Sequence, residues 1–358
     1  MDATIGKRVA ALIPARGQAQ VAAAVGMGAD ALSRALSGQR GFGAGELARI
    51  ADYFGADLHE LITGEPDPHR VKMVARHDYN QETGERSVPG RAADEPVLED
   101  IVLAYRQAPP PPRPQWRPPS DVAAARAALG EGFVRPFIDR IEERLGIDVV
   151  RVAELSTAYS FIVEERAVIA VPAVGSWFWE NFSLAHELGH LVLQHHAAEA
   201  THQAHEAAAH AFAAELLMPA ELLRSSSWAD LDAGQLAARV WDLGVSTEAL
   251  AIRLESLGIE CAVAQEWRPR DRKTQKLLRR HWTPTEPGDP ITRRMDDAAP
   301  RRFPVALQAA HQEQIAAGQI GKGTLAWMLG VAPDRLEVDE PEWAEMSTAD
   351  LAAALELL

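Results

Sequence analysis

A chain of 358 residues is too long for one comfortable core, because domains of roughly 100 to 200 residues are the rule, so two or three folded units are expected. Hydrophobic residues at 47% and charged residues at 24% exclude wholesale disorder, and a formal charge of -15 opposes diffuse attraction to nucleic-acid phosphates or to a membrane surface. A single cysteine, Cys261, excludes an intramolecular disulfide framework and any cysteine-rich zinc site, so a metal here needs histidine and carboxylate ligands.

The start lacks the apolar core of a signal peptide, and no run of about 18 apolar residues occurs, so a cytoplasmic protein without a membrane span is expected. From Ile5 to Ile62 the pattern predicts short helices at Ile5 to Ile13, Gln18 to Val25, Ala29 to Leu36, Glu46 to Phe54 and Leu58 to Ile62. A compact five-helix domain over residues 1–66 follows. Residues 67–120 change character: a polar stretch, a helix at Val97 to Tyr105, then prolines at 109–112 and 114 that read as a stiff polyproline II spacer.

Beyond the spacer, Phe133 to Leu145 reads as helix, and β-branched runs at Ile147 to Val152, Ser160 to Val163 and Ala167 to Val171 read as strands. Helices are predicted at Glu180 to Gln194 and Glu206 to Met218, with Pro219 as a break. Gln235 to Gly258 reads as helix, turn, helix; Gln265 to Arg302 is basic and proline-bearing; a last helical segment is expected over Val305 to Leu358.

The chemistry concentrates in His186-Glu187-Leu188-Gly189-His190. On a helix, residues four apart share a face, so His186 and His190 can grip one metal from adjacent turns. Glu187 points about a quarter turn away, where it suits a general base better than a ligand. A catalytic zinc takes three protein ligands, and the next helix offers Glu206, His210 and Glu215, favoured in that order. The alanines around Glu206 and His210, with Gly189 opposite, let the two helices approach closely, and His210 could orient a ligand from behind. Histidines 195, 196, 202 and 205 crowd the connecting loop and read as solvated. Tyr159, at the start of the strand region, is a candidate oxyanion stabiliser, set against the plainer role of a half-buried strand residue.

From Phe182 to Pro219 the sequence resembles the ImmA/IrrE family of bacterial metallopeptidases: His-Glu-Leu-Gly-His at 186–190, then Glu206-x-x-Ala209-x-x-Phe212-Ala213-Ala214-x-Leu216-Leu217-Met218-Pro219. The resemblance implies zinc, with Glu206 as third ligand. Members often carry a second acidic residue two positions after that glutamate, where this chain has Ala208, and Asn or Asp at the position of His210.

Residues 4–64 resemble the lambda-repressor-like (XRE-type) helix-turn-helix family, with the turn at Gly26, which implies specific binding of duplex DNA as a homodimer. In that docking geometry the helix from Gly28 to Ser37 enters the major groove, Asp30, Ser33 and Arg34 reach base edges, and Gln18 meets phosphate. Through Glu65 the domain carries six basic residues (Lys7, Arg8, Arg16, Arg34, Arg40, Arg49) against seven acidic (Asp2, Asp30, Glu46, Asp52, Asp57, Glu60, Glu65), so its phosphate affinity alone should be weak. Seven cations between Trp267 and Trp282 read as a solvated basic face rather than a nucleic-acid contact.

The expected fold is therefore multidomain and mainly α. A five-helix lambda-repressor-like domain (1–66) and a linker (67–120) precede an α+β zincin-like peptidase core (121–225), a helix-turn-helix-like extension (226–260) and a basic linker with a C-terminal helical region (261–358). The expected function is a cytoplasmic regulatory zinc metallopeptidase that hydrolyses a peptide bond in a transcriptional repressor or regulator, the substrate class coming from the resemblance. Its substrate would pair as an added strand beside Ala167 to Val171. The rival is a DNA-binding regulator or antitoxin whose peptidase-like domain is a sensor or scaffold that cleaves nothing.

Overall fold

A computed structural model describes residues 4–14, 17–54, 56, 58–65, 73–75, 78–79, 86–87, 91–112, 116–163, 165–195, 202–269, 273–284 and 287–341. Internal contacts divide the chain into two units, Met1–Val71 and Lys72–Leu358.

The first unit is built from α1 (Ile5–Leu12), α2 (Gln18–Ala24), α3 (Ala29–Leu36), α4 (Ala44–Phe54) and α5 (Leu58–Thr63). Apolar positions three and four apart on each helix turn inward, so Val9, Val21, Val25, Leu32, Leu47, Ile50 and Leu61 form one buried cluster. Two arginines fasten the helices through orphan carbonyls at helix ends: Arg49 donates to Val25 O at 2.8 Å and Arg8 to Leu61 O at 3.0 Å.

In the second unit, β1 (Met73–Ala75), β2 (Asp78–Tyr79) and β3 (Arg86–Ser87) precede α6 (Arg91–Gln107), α7 (Val122–Leu129) and α8 (Phe137–Arg140), which runs on into a π-helical turn at Ile141–Leu145. Strands β4 (Asp148–Val152), β5 (Tyr159–Val163) and β6 (Arg166–Pro172) then lead into α9 (Trp177–Val192) and α10 (His202–Leu217). The chain continues through α11 (Ala220–Arg224), α12 (Ala233–Leu243), α13 (Thr247–Ser256), α14 (Ala262–Glu266), α15 (Thr274–His281), α16 (Pro290–Asp297), α17 (Val305–Ala316) and α18 (Gly323–Leu329). The expected last helix thus divides in two, and its part beyond residue 341 lies outside the described residues.

The sheet order is β1-β5-β6-β4, with β6 antiparallel to β5 and parallel to β4. This overturns the idea of an open edge at Ala167 to Val171: β6 is hydrogen-bonded on both sides, and those five residues are wholly buried. The outer edge of β5 is taken in turn by β1, pairing Met73 with Phe161 and Ala75 with Tyr159.

The expected spacer is also corrected. Leu98, Ile101, Ala104 and Tyr105 of α6 are buried, the Tyr105 hydroxyl donates to Asp148 at 3.1 Å, and Arg166 donates to the carbonyls of Pro110 and Pro111. The proline run is held against the sheet because polyproline carbonyls lack internal partners and accept from an arginine fork. The preceding polar stretch lies partly outside the described residues.

Helix α9 is seated by buried polar contacts at its start. Arg151 of β4 grips Glu180 through two bonds, Nε to Oε2 at 2.7 Å and Nη2 to Oε1 at 2.8 Å. Burial pushes the Glu180 carboxyl above its ordinary pKa, partly opposed by Arg151. Asn181 donates to Val134 O at 3.1 Å and Gly244 O at 3.0 Å. Gly244 closes α12 with φ of 65°, and a Cβ there would stand 2.7 Å from the Asn181 amide, so this cap needs glycine for both conformation and space.

Candidate metal centre

Burial along α9 is almost continuous from Leu184 to Val192, including the polar residues His186, Glu187 and His190. Glycine 189 explains how α10 comes so near: a Cβ at 189 would stand 3.1 Å from the Phe212 ring and 3.2 Å from Ala209 Cα. Ala209 and Ala213 complete the close face on α10.

That approach brings Glu206 onto the two imidazoles. His186 Nε2 and His190 Nε2 are 3.1 Å apart, and the carboxylate oxygens of Glu206 lie 3.3 Å from the first and 3.1 Å from the second. All three residues are at most 3% exposed. Burial alone would raise the Glu206 carboxyl, but hydrogen bonds from His186 and His190 outweigh it and hold the group well below the usual carboxylate range. Among the described residues these three form the group that could hold a metal ion.

The donor set fits zinc. Zinc bonds of about 2.0 to 2.2 Å at tetrahedral angles place neighbouring ligand atoms roughly 3.3 to 3.5 Å apart, close to the spacings found here. Two imidazole nitrogens and a carboxylate, all buried and facing one another, are also a donor set whose lost solvation a shared cation would offset.

Glu187 is fully buried beside this triangle, and Ser160 of β5 donates to its Oε2 at 2.7 Å. The sequence reading passed over Ser160, because only the packing of β5 against α9 brings it to Glu187. His195, read from sequence as a solvated loop residue, instead meets His190 with 2.8 Å between their Nδ1 atoms.

The remaining candidates fall outside the triangle. His210 stays exposed, with its ring 5.0 Å from Phe182 and 6.2 Å from His186, and Glu215 pairs with Arg253 and accepts from Ala220 N at 3.2 Å. The Tyr159 hydroxyl donates its one proton to buried Asp94 at 2.7 Å, which argues against the oxyanion role; Asp94 also accepts from Ser156 Oγ at 2.6 Å. Tyr159 is a buried strand residue that ties α6 to the sheet.

In the first unit, Gln18, Asp30, Ser33 and Arg34 are all exposed on α2 and α3, and Arg34 pairs with Asp30 at 2.7 Å.

Two metal-ready helices packed on a small sheet, in one chain with a turn-linked pair of short helices, define a metallopeptidase-like domain joined to a helix-turn-helix domain. The family models make this particular: residues 142–255 match the IrrE N-terminal-like domain of peptidase family M78, and residues 14–61 match a helix-turn-helix domain. The pairing matches the ImmA/IrrE arrangement in which a helix-turn-helix domain precedes the peptidase-family domain. No curated protein matches the chain. No helix among the described residues is long and apolar enough to cross a membrane.

Proposed function

We propose that the chain is a cytoplasmic zinc-dependent endopeptidase that cuts a transcriptional repressor or regulator, with its N-terminal domain placing it on duplex DNA as a homodimer. The observation that carries the enzymatic part is the triangle of His186, His190 and Glu206 beside a buried, Ser160-held Glu187.

In this reading His186, His190 and Glu206 hold the ion. Bound there, zinc would polarise the scissile carbonyl and bring the pKa of a water near 7. Glu187 takes a proton from the attacking water as its oxygen bonds to the carbonyl carbon, and returns it to the amine as the C–N bond breaks. Ser160 fixes the carboxylate so that the transfer needs no rotation. Gln18, Asp30, Ser33 and Arg34 are the contacts assigned to DNA. A repressor as substrate is supported by the joining of a peptidase-family domain to a DNA-binding domain in one chain.

The test is Glu187→Gln, which keeps shape while removing the base. Elemental analysis should find one zinc per chain in wild type and in this variant, and little in His186→Ala. Mapping new protein N-termini in cells should show cleavage within a transcription regulator for wild type and a loss on the order of 10²–10⁴ in its rate for Glu187→Gln. Zinc-free, fully folded wild type overturns the metal site. Identical N-termini in both strains overturn the peptidase in favour of a non-cleaving sensor.

A further inference from the structure

His195, expected in solvent from its place in the loop, is positioned by backbone geometry. Helix α9 ends in a pair of bonds that fold the chain back: Gln194 N donates to Leu191 O at 3.1 Å and His195 N to His190 O at 3.0 Å. These are the bonds of a Schellman cap. Gln194 occupies the left-handed position with φ of 55°, where glycine is usual. The cap returns both the amide and the side chain of residue 195 to His190.

The side-chain contact joins His195 Nδ1 to His190 Nδ1 at 2.8 Å, on the opposite side of the His190 ring from the Nε2 that faces His186 and Glu206. A neutral imidazole that gives its Nε2 lone pair to an ion keeps its proton on Nδ1, and that proton needs an acceptor. His195 Nδ1 is in place to accept it. The His195 ring is also stacked on His205 of α10, centroids 4.0 Å apart and planes 9° apart, and His205 directly precedes Glu206. One side chain thus touches both helices that supply the triangle.

We propose that His195 is a positioning residue for the metal centre. It accepts the Nδ1 proton of His190 and so fixes that ring's tautomer and rotation. This rests on the reading of His186, His190 and Glu206 as ligands. Partners of this kind are worth about 10- to 100-fold in metal affinity.

The experiment uses the full chain, with zinc and cobalt as probes. His195→Phe keeps a ring to stack but has no acceptor; His195→Gln keeps an acceptor without the ring. Chelator competition should show zinc binding about 10- to 100-fold weaker in His195→Phe, and affinity largely recovered in His195→Gln. The visible absorption of the cobalt-loaded protein should shift in His195→Phe and return towards wild type in His195→Gln. Metal-free melting temperatures report whether each variant folds. Wild type that takes up neither metal overturns the ligand assignment itself. Wild type that binds zinc, with His195→Phe equal to it within about twofold, overturns only the role of His195. A folded His195→Gln as weak as His195→Phe, or weakened in its place should the latter fail to fold, overturns it as well, because an acceptor is present.

Discussion

The two units solve the problem of presenting polar groups in opposite ways. In the helix-turn-helix unit, Gln18, Asp30, Ser33 and Arg34 stand in water on the outside of an apolar cluster to which none of them belongs. In the peptidase unit, His186, Glu187, His190 and Glu206 lie inside, held by Ser160, His195 and the close approach of α9 to α10. An exposed reading surface leaves its solvation to be displaced by the partner, whereas a buried site must have its polar groups matched when the chain folds. Stability and function should therefore be separable in the first unit and coupled in the second.

The comparison can be tested cleanly because all nine tryptophans lie beyond residue 115, in the second unit, so tryptophan fluorescence follows that unit alone. The largest effect is expected for Arg151→Ala. It leaves Glu180 buried without the fork that satisfies it, which should cost about 3–5 kcal/mol in denaturant unfolding followed by tryptophan emission. Replacing both members, Arg151→Met with Glu180→Leu, should recover most of that loss. A cost under about 1 kcal/mol for the single change would show that α9 is seated by apolar packing instead.

Next in size is Gly189→Ala. The added methyl meets Phe212 and the backbone of Ala209 at 3.1–3.2 Å, so α10 must shift outward. A loss of about 1–3 kcal/mol is expected, as for other overpacked contacts. Zinc affinity should fall with it, because the same shift draws Glu206 from the histidines. Retained affinity in a destabilised variant would separate the site from the helix contact and weaken the claim of coupling.

What could be read in advance follows the same division. The five helices of the first unit emerge with their ends nearly correct, because each is short, amphipathic and punctuated by glycine. In the second unit, His186, Glu187 and His190 declare themselves by spacing within one helix, and Glu206 stood first among three candidates. The order of the sheet was not legible: β4, β5 and β6 are all apolar runs, and nothing local tells β6 that it will sit between the others. Helix α7 is not among the expected elements although Asp121 caps it by accepting from Ala124 N at 2.8 Å, and α6 starts at Arg91, ahead of its expected start, with Pro96 inside it. Ser160 and His195 act through contacts made by packing and by a left-handed cap, features that leave no periodic trace.

The smallest structural effect belongs to Arg34→Ala, and it sharpens the contrast from the other side. Arg34 and its partner Asp30 are both exposed, so losing their ion pair should change stability by no more than about 0.5 kcal/mol. On the duplex sequence that the protein itself enriches from a random pool, the same change should weaken binding by about 1–3 kcal/mol, as expected for a lost base contact. Asp30→Asn should act the other way on random duplex, because it frees the guanidinium and removes a negative charge from the face proposed to meet phosphates. Anisotropy titrations at several salt concentrations distinguish these outcomes from a general loss of charge. Equal affinity of wild type and Arg34→Ala for the enriched sequence would remove α3 as the reading helix and leave the first unit as a surface for some other contact.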